Sequence, residues 1–599
     1  VLDAEDTVIT RLVDGSSVRL RVTLVSPVEQ EAQVTFRLAG LDAELATCQV
    51  EARKNTCESE PVRTLGWRWN PDGTAAPERI ILAYLGGETA VQSQSIRIEP
   101  RPVVMVHGFS SDWRAWQNYL GTSGYLAELG IAGFAVGDGQ VSGVMNTGSL
   151  ADPLGETNTI AENAAILGEY IRQVKASTGA AMVDLVAHSM GGLISRYYIG
   201  RVMQARDVAQ LIMLGSPMAG TECAYLPSAL GFYLPAVLEI RPSYVTGIFN
   251  QQINDRKGVP FRAVAGVPIV NPVQSPCTGV PSDIVISRAS ISAIPLDVQE
   301  TSALHIDLNA SRAIFLEYVS PLLQTPPGEF RQQNTGAVEA SEADTLQFSQ
   351  VFSGHVNPGE TAELVIPIDE GVTVARFALY DSSRSLTTEV RGASGNVIEL
   401  TVEANGLVTV DDPAALFYLG YGFANPKPGE WRVTLQPTAE TPASGADYAL
   451  TAAFEGGALL QAETDLLLPV AGQSVRISAR LESGIQDIQA ASVQAVVRSF
   501  LGGSETIALQ ANGEGFEAVW KTKQAGLHAI DLSYTGTLPD GSSVQRSAFL
   551  TVDVQPPIHS PEMTFLFVVA ILLSFISIYV TRRWLKSRHP EDFERPRRK

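Results

Sequence analysis

Hydrophobic and polar positions along this chain follow two different periods, which divide it into regions of different predicted structure. Near the N-terminus, VRLRVTLV (18–25), QVTFRLAG (33–40) and RIILAYLG (79–86) show the two-residue alternation of half-buried strands. Turn-forming residues separate these runs. We therefore predict a small β-sandwich of immunoglobulin-like type over residues 1–100.

The pattern changes over residues 101–325, where strand-like apolar runs alternate with helix-like segments. Helical spacing of Ile160, Ala164, Leu167 and Ile171 predicts a helix over 159–179. A second helix is predicted over 190–203, and strands over 103–108, 181–189, 209–217 and 261–267, with PSDIVIS (281–287) following the last of these strands. Strand and helix in alternation favour a mostly parallel sheet with helices on both faces.

Two further β regions follow a polar linker over 326–344. Runs such as AELVIPI (362–368) predict a jelly-roll-like sandwich over 345–457. Runs such as SVRISARLES (474–483) predict an immunoglobulin-like sandwich over 458–555. Nothing in these sequences distinguishes a carbohydrate-binding or protein-binding module from a spacer, and we interpret the β domains as spacers.

The C-terminal end contains an apolar run that predicts a membrane helix. Residues 563–581 carry neither charge nor proline, and a helix of that length spans about 28 Å, close to one hydrocarbon core. A short linker, 556–562, precedes the run and a basic tail, 582–599, follows it. By the positive-inside rule the tail is expected in the cytoplasm and the rest of the chain outside the cell membrane.

Composition and cysteine content agree with an exported protein. The net charge is −21, which argues against nucleic acid as a partner. The first residue is Val1, so we expect that a signal peptide precedes the numbered chain. Four cysteines allow three pairings. We expect one disulfide between the nearby Cys48 and Cys57, and a second between Cys223 and Cys277.

The segment AHSMGG (187–192) lies between a predicted strand and a predicted helix. A serine at such a junction can stand on a tight turn with its hydroxyl raised above the sheet, if the residues two before and two after it are small. Here those residues are Ala187 and Gly191. Ser189 is therefore a candidate nucleophile in an A-x-S-x-G variant of the nucleophile elbow.

Three segments carry a resemblance to the α/β-hydrolase superfamily, and most to its lipase and esterase branch. VVMVHGFSSDWRAW (103–116) resembles the oxyanion loop, VDLVAHSMGGLISRYY (183–198) the nucleophile elbow, and LIMLGSPMAG (211–220) the following strand and loop. Similar segments occur in bacterial triacylglycerol lipases and in membrane-bound inositol deacylases. The resemblance covers about residues 101–325 and implies a serine ester hydrolase without a cofactor or a catalytic metal.

In this fold the catalytic order is serine, then an acid, then histidine. His305 is the only histidine after Ser189 and before the linker, so it is the expected base. Ser282-Asp283-Ile284-Val285 is similar to the acid segment of related lipases, although Ile284 replaces a glycine. We therefore favour Asp283 as the acid, with Asp297 as the alternative. Asp255 precedes its strand and Asp307 is too near His305.

Two backbone N–H groups should meet the negative charge that develops on the substrate carbonyl. We expect them from Met190, which follows the nucleophile, and from Phe109, in the loop that contains His107 and Gly108. His107 and His188 flank the site and do not fit the catalytic order, so we interpret both as structural or pocket-lining. Some related lipases hold a structural calcium ion, for which Asp307 is the one candidate ligand here.

Residues 219–256 form an insertion between two predicted strands. It is rich in apolar and aromatic residues, as in AYLPSALGFYLPAVLEI (224–240), and Cys223 opens it. Such a segment beside an active site is either a lid over an acyl-chain site or ordinary packing. A lid favours a lipid ester as substrate.

Three hypotheses on function follow. The first is an extracellular lipase or carboxylesterase held on a membrane by its C-terminal helix. The second is an acyl hydrolase acting on a lipid anchor or another membrane lipid. The third is a cell-surface adhesion protein with an inactive hydrolase domain, against which the complete set of Ser189, Asp283 and His305 argues.

Overall fold

In the computed structural model, most of the chain is described. The described residues are 1–40, 44–70, 72–87, 90–149, 155–229, 231–268, 278, 281–331, 347–381, 383–410, 418–482, 488–513, 515–539, 541–557, 569, 572–574 and 577–579.

The N-terminal region is built from nine short strands. They are β1 (Arg11–Val13), β2 (Ser17–Val18), β3 (Arg21–Thr23), β4 (Ala32–Leu38), β5 (Glu44–Val50), β6 (Thr56–Glu58), β7 (Val62–Arg63), β8 (Glu78–Leu85) and β9 (Ala90–Glu99). Five of them form a sheet in the order β1-β9-β8-β4-β5, and β2-β7 and β3-β6 form two small pairs. The single strand predicted over 18–25 is wrong, because the chain there divides between β2 and β3. The immunoglobulin-like form stays a prediction.

A disulfide joins Cys48 to Cys57 within this region, with 5.8 Å between the two Cα atoms. That pairing is the predicted one. Cys223 is also disulfide-bonded. Cys277 lies outside the described residues, so the second predicted bridge stays a prediction.

The central region contains a six-stranded sheet whose strands are all parallel. They are β10 (Val103–Val106), β11 (Gly133–Ala135), β12 (Val183–His188), β13 (Val208–Leu214), β14 (Phe261–Gly266) and β15 (Asp297–Thr301). Their order is β11-β10-β12-β13-β14-β15. β10, β12 and β13 are buried along their whole length, which explains why their sequences are mostly apolar.

Two helices follow from clear sequence signals. α1 (Ile160–Thr178) begins with a capping box, in which Thr159 and Glu162 satisfy each other's backbone N–H groups, and ends at Gly179 in the left-handed conformation. α2 (Gly191–Tyr197) continues into a π-helical turn, Tyr198–Val202. Apolar side chains of both helices cover one face of the sheet.

The insertion between β13 and β14 is a helical layer. We call its described residues, 219–229 and 231–252, the cap. It contains α3 (Tyr225–Ala229), α4 (Pro235–Leu238), α5 (Pro242–Tyr244), a π-helical turn Val245–Phe249 and α6 (Asn250–Gln252). α7 (Arg288–Ile291) follows β14, and α8 (Arg312–Ile314), the π-helical turn Phe315–Val319 and α9 (Ser320–Leu323) follow β15.

The segment 281–287, which follows β14 and carries the candidate acid, is a loop. The segment is a tight turn closed by a bridge between Ser282 and Ser287. One side-chain oxygen of Asp283 has local partners, because Oδ1 accepts from the backbone N–H groups of Val285 and Ile286 at 3.0 and 2.6 Å. A short side chain that bonds nearby backbone favours a turn over a strand.

The described residues between 347 and 557 are built almost entirely from strands. They are β16 (Gln347–Val356), β17 (Ala362–Ile368), β18 (Val372–Asp381), β19 (Leu386–Arg391), β20 (Val397–Ile398), β21 (Val408–Val410), β22 (Tyr418–Ala424), β23 (Gly429–Pro437), β24 (Ala446–Gly456), β25 (Leu459–Thr464), β26 (Ser474–Glu482), β27 (Gln489–Ser499), β28 (Ser504–Asn512), β29 (Gly515–Lys521), β30 (Gly526–Thr537) and β31 (Ser543–Val554). The short helix α10 (Val402–Asn405) lies between β20 and β21.

Two hydrophobic cores divide these strands into a middle and a C-terminal β domain. A single sheet nevertheless runs through both, in the order β21-β22-β18-β24-β16-β31-β30-β27-β28-β29-β26-β25. The domains meet where Phe348 of β16 pairs with Ser547 of β31. Beside that joint the buried Arg546 forms an ion pair with Asp369 and donates to the carbonyl of Ala458. The two β domains therefore share backbone hydrogen bonds and a buried ion pair.

Within the described part of the chain, no helix combines the length and apolarity that a bilayer crossing requires. The predicted membrane helix, 563–581, falls largely outside the described residues, as does the basic tail. Both stay predictions.

Candidate active site

The candidate nucleophile lies at the carboxyl end of β12, between that strand and α2. Ser189 has a φ of 52°, in the left-handed region that non-glycine residues seldom adopt. Its backbone N–H donates to the carbonyl of Leu214 on the neighbouring strand at 2.9 Å. The chain therefore turns sharply at the position where a nucleophile elbow requires it.

Gly191 permits this turn. A β-carbon built on Gly191 would lie 2.5 Å from the carbonyl oxygen of Val106 and 2.7 Å from that of His107. The start of α2 thus packs directly on the end of β10, with no room for a side chain. This close approach is the physical reason for the small residue two positions after the serine.

The structure brings Asp283 and His305 together from two loops. His305 Nδ1 lies 2.7 Å from Asp283 Oδ2, and the His305 backbone N–H donates to the Asp283 carbonyl at 3.1 Å. Both side chains are buried, Asp283 completely. A β-carbon on Gly215, at the end of β13, would lie 3.0 Å or less from both side chains, so the pair sits against that strand end.

The other acids weighed from the sequence lie elsewhere. Asp297 begins β15 and is exposed there. Asp255 accepts from the backbone of Lys257, and Asp307 lies in the 3₁₀ turn that starts at His305. Among the described residues, no group of three or more His, Cys, Asp or Glu side chains is placed to hold a metal ion.

His188 connects the nucleophile turn to the candidate base. Its Nε2 lies 3.0 Å from the backbone oxygen of His305, and the two rings are 4.6 Å apart. Burial lowers the pKa of His188 to about 3, so the ring is neutral at neutral pH and donates its proton to that carbonyl. The sequence interpretation of His188 as merely structural missed this contact, which no motif signals.

The predicted oxyanion loop packs against Ser189. A β-carbon on Gly108 would lie 2.7 Å from the Ser189 Cβ and 3.3 Å from its Oγ. The next residue, Phe109, is therefore close to the candidate nucleophile. Met190 is the N-cap of α2, where backbone N–H groups have no partner within the helix. The roles of Phe109 and Met190 as oxyanion donors stay predictions.

Thr147 supports the oxyanion loop and was not found from the sequence. Its hydroxyl donates to the Gly108 carbonyl at 2.7 Å, and its carbonyl accepts from the Ser110 N–H at 3.0 Å. His107 lies beneath, and burial lowers its pKa to about 4, which keeps the ring uncharged. The only signal of Thr147 was its place in a polar, glycine-containing loop.

The cap bridges the two sides of the site. Ser290, just after the acid loop, donates to the Gly220 carbonyl at 2.6 Å and accepts from the Ala219 N–H at 3.1 Å. On the other side, the buried Glu239 accepts from the Ile160 N–H at the start of α1 at 2.6 Å. One apolar cluster runs without a break from Met190, beside the nucleophile, through the cap.

The C-terminal β domain contacts the cap. Arg241, which is fully buried, pairs with Asp531 of β30 at 3.0 Å, and Tyr233 donates to the same carboxylate at 3.0 Å. Tyr225 of α3 stacks on Phe549 of β31 with 4.1 Å between ring centroids. The spacer interpretation is therefore wrong for this domain, because it packs on the catalytic region.

Comparisons with known proteins agree with this geometry. The model of the palmitoyl protein thioesterase family matches residues 102–247. A triacylglycerol lipase of Burkholderia plantarii is 30% identical over 155 residues, covering 24% of this chain and 37% of the lipase. A triacylglycerol lipase of Pseudarthrobacter phenanthrenivorans is 32% identical over 135 residues, covering 20% of this chain and 35% of the lipase. The chain carries an α/β-hydrolase domain of the lipase and esterase superfamily.

The likeness to a solved structure extends beyond this α/β-hydrolase domain. Bacillus licheniformis lipase BlEst2 in its propeptide form matches with a TM-score of 0.51 and 17% identity. The match covers 76% of this chain and 94% of that chain, which shows a shared fold. The curated lipases, by contrast, share only about a third of their length with the α/β-hydrolase domain described here.

Proposed function

We propose that this chain hydrolyses carboxylic esters through an acyl-enzyme, with Ser189 as nucleophile, His305 as base and Asp283 as the acid that orients the base. The observation that carries the proposal is the buried pair of His305 and Asp283, 2.7 Å apart, next to a serine held in the elbow conformation. A serine hydroxyl needs such a base, and the base needs an orienting acid.

The reaction follows from these positions. His305 accepts the Ser189 proton as Oγ attacks the ester carbonyl, while Asp283 stabilises the imidazolium that forms. The N–H groups of Met190 and Phe109 hold the oxyanion. His305 then gives its proton to the leaving alcohol, and a water molecule, activated by the same base, releases the acid from Ser189.

Apolar packing around the site favours a lipid ester. Met190 and the cap belong to one apolar cluster, and the partly buried Phe109 and Val285 at its edge are the side chains that we infer contact an acyl chain. In this proposal the cap acts as the acyl-chain wall. The predicted span 563–581 would hold the enzyme on the outer face of a cell membrane.

Thioester hydrolysis is a second candidate. The match to the palmitoyl protein thioesterase family over residues 102–247 favours it. The same triad cleaves both bonds, since each reaction passes through an acyl-serine. An assay on a palmitoyl thioester beside the oxygen ester of equal chain length separates the two activities.

The deciding experiment is an assay of p-nitrophenyl esters of increasing chain length on the full chain. We expect the Ser189→Ala variant to lose at least about three orders of magnitude in kcat/KM. A preference for long chains supports the acyl-chain wall, and a preference for acetate contradicts it. Equal rates in both proteins would refute the assignment and leave the inactive adhesion protein as the better hypothesis.

A further inference from the structure

One end of the C-terminal β domain carries exposed leucines where its last strand ends. β31 ends at Val554, and the segment before β26 runs beside it. There the Asp553 N–H donates to the Leu467 carbonyl at 3.0 Å, and the Gln555 N–H donates to the Pro469 carbonyl at 2.7 Å. On either side of Leu467, Leu466 and Leu468 are 40% and 38% exposed.

A third leucine lies at the same end. Leu501, 60% exposed, is in the turn between β27 and β28. The preceding residue, Phe500, donates its backbone N–H to the carbonyl of Leu527 in β30 at 3.2 Å. Gly526, the first residue of β30, pairs with Val554, the last residue of β31, so Leu501 lies at the end of the domain where β31 ends. We call Leu466, Leu468 and Leu501 the exit face. Large apolar side chains that are exposed together on a protein surface mark an interaction site.

The exit face adjoins the cap. Leu467, which lies between the two exposed leucines, packs against the hydrophobic core of the catalytic region. A β-carbon built on Gly247 of the cap would lie 2.9 Å from Leu467 Cδ1. Asp553 is also close enough to contribute to the raised pKa of the buried Glu239, which burial raises most.

We propose that the exit face docks on the lipid bilayer that holds the predicted span, so that the cap and the Ser189 site stand at the surface of that membrane. Only the eight residues 555–562 lie between β31 and the apolar run, and fully extended they reach about 28 Å. The exit face therefore cannot move far from the bilayer.

This placement deepens the proposed function, on which it rests, by naming the substrate class. The enzyme takes acyl esters of lipids in its own membrane, which reach the site along the cap without crossing water. A soluble ester would gain nothing from the apolar exit face. A second copy of the chain is the competing occupant of the same surface.

A labelling experiment tests the docking without any need for activity. The described cysteines are all disulfide-bonded, so a fluorophore can be placed on the Leu501→Cys variant of the full chain in phosphatidylcholine vesicles. We expect brominated phospholipids to quench this label. The same label on Val8→Cys, an exposed apolar position of the N-terminal region, should not be quenched.

Two results would overturn the docking. One is equal quenching, or none, at positions 501 and 8. The other is a label at 501 that ignores brominated lipid and responds only to the number of protein copies per vesicle, which would assign the exit face to a second copy.

The substrate class needs a separate assay. In vesicles that contain a long-chain diacylglycerol, the variant Leu466→Ser/Leu468→Ser/Leu501→Ser should hydrolyse this lipid about tenfold more slowly than the unaltered chain. Its rate on soluble p-nitrophenyl butyrate should be unchanged. Val397→Ser, an exposed apolar change on the middle β domain, should affect neither rate.

The outcomes separate the two proposals. If the unaltered chain cleaves no ester that depends on Ser189, the proposed function fails while the quenching result still decides the docking. If soluble ester is cleaved and the leucine variant hydrolyses vesicle lipid at the normal rate, the inference on substrate class fails and the proposed function stands.

Discussion

The imidazole of His188 donates a hydrogen bond from Nε2 to the backbone carbonyl of His305, across 3.0 Å. His188 is the last residue of β12 and directly precedes Ser189, so one rigid strand end positions both the nucleophile and the loop of the base. Because the ring is buried and neutral, this bond persists at neutral pH. We therefore expect His188 to act as a positioning residue for His305, the proposed base.

We predict that His188→Leu lowers kcat by about ten- to a hundredfold and leaves KM nearly unchanged. Displacing the base slows the chemical step but does not change how tightly the substrate binds. His188→Gln keeps an N–H donor near the place of Nε2 and should recover most of that loss. Steady-state kinetics on a soluble ester measures both. A Gln variant as slow as the Leu variant would contradict the positioning role.

Asp283 and Asp297 form a matched pair for testing the acid. Asp283→Asn should lower kcat/KM by about 10⁴-fold, since the amide no longer stabilises the imidazolium of His305. Asp297→Asn, an exposed change at the start of β15, should leave kcat/KM near normal. A larger loss of kcat/KM in Asp297→Asn than in Asp283→Asn would assign the role to Asp297, the alternative acid.

Gly191 tests the geometry of the elbow. Gly191→Ala places a methyl group 2.5 Å from the Val106 carbonyl oxygen, so strand end and helix must move apart. We expect a loss of about 1–3 kcal/mol in unfolding free energy and of most activity. Chemical denaturation together with kcat measures both, and an active variant of normal stability would show that the elbow can relax.

The Arg241–Asp531 pair tests the contact between the cap and the C-terminal β domain. Arg241→Met should lower the free energy of unfolding by about 3–5 kcal/mol, because it leaves the Asp531 carboxylate without its buried partner. Arg312→Met removes an exposed pair with Glu128 and should cost at most about 1 kcal/mol. Equal effects would mean that Asp531 is stabilised by Arg498 and Tyr233 alone.

Glu239 gives the cap a predictable pH dependence. Burial raises its pKa to about 8, above an unfolded value near 4.5, so its neutral form stabilises the fold at low pH and that contribution is lost as the pH rises. Relative to wild type, Glu239→Gln should gain up to about 1.4 kcal/mol per pH unit between pH 4.5 and 8. Denaturation at pH 5, 6.5 and 8 tests this, and a pH-independent difference would contradict it.

Sequence patterns predicted the parallel sheet because its central strands are mostly apolar and α1 has a periodic apolar face with a capping box. AELVIPI and GEWRVTLQP became strands at their predicted positions because buried and more exposed residues alternate along most of their length. The segment at 281–287 was expected after the 261–267 strand, and the Asp283 side chain bonds its backbone into a turn. The strand expected over 18–25 divides between β2 and β3, and the alternation of its residues gave no sign of that break.

The candidate site also contains residues that the sequence signalled and contacts that it did not. Ser189 lay in a motif, and His305 was selected by elimination, so both were visible in the sequence. Ile284 stands where the related lipases have glycine, yet it adopts a φ of 84°, so the turn survives without the residue that signals it. Contacts such as His188 with His305, or Arg241 with Asp531, join residues more than a hundred positions apart, and no local pattern records them.

Leu527 and Ala529 of β30 lie inside the hydrophobic core of the hydrolase, among side chains of the cap. The C-terminal β domain is thus not an interchangeable module in the evolutionary sense. A recombination event that replaced it would set foreign side chains against the cap and disrupt both partners. Substitutions on β30 and on the cap should consequently be inherited together, and families of this architecture should diverge as whole chains.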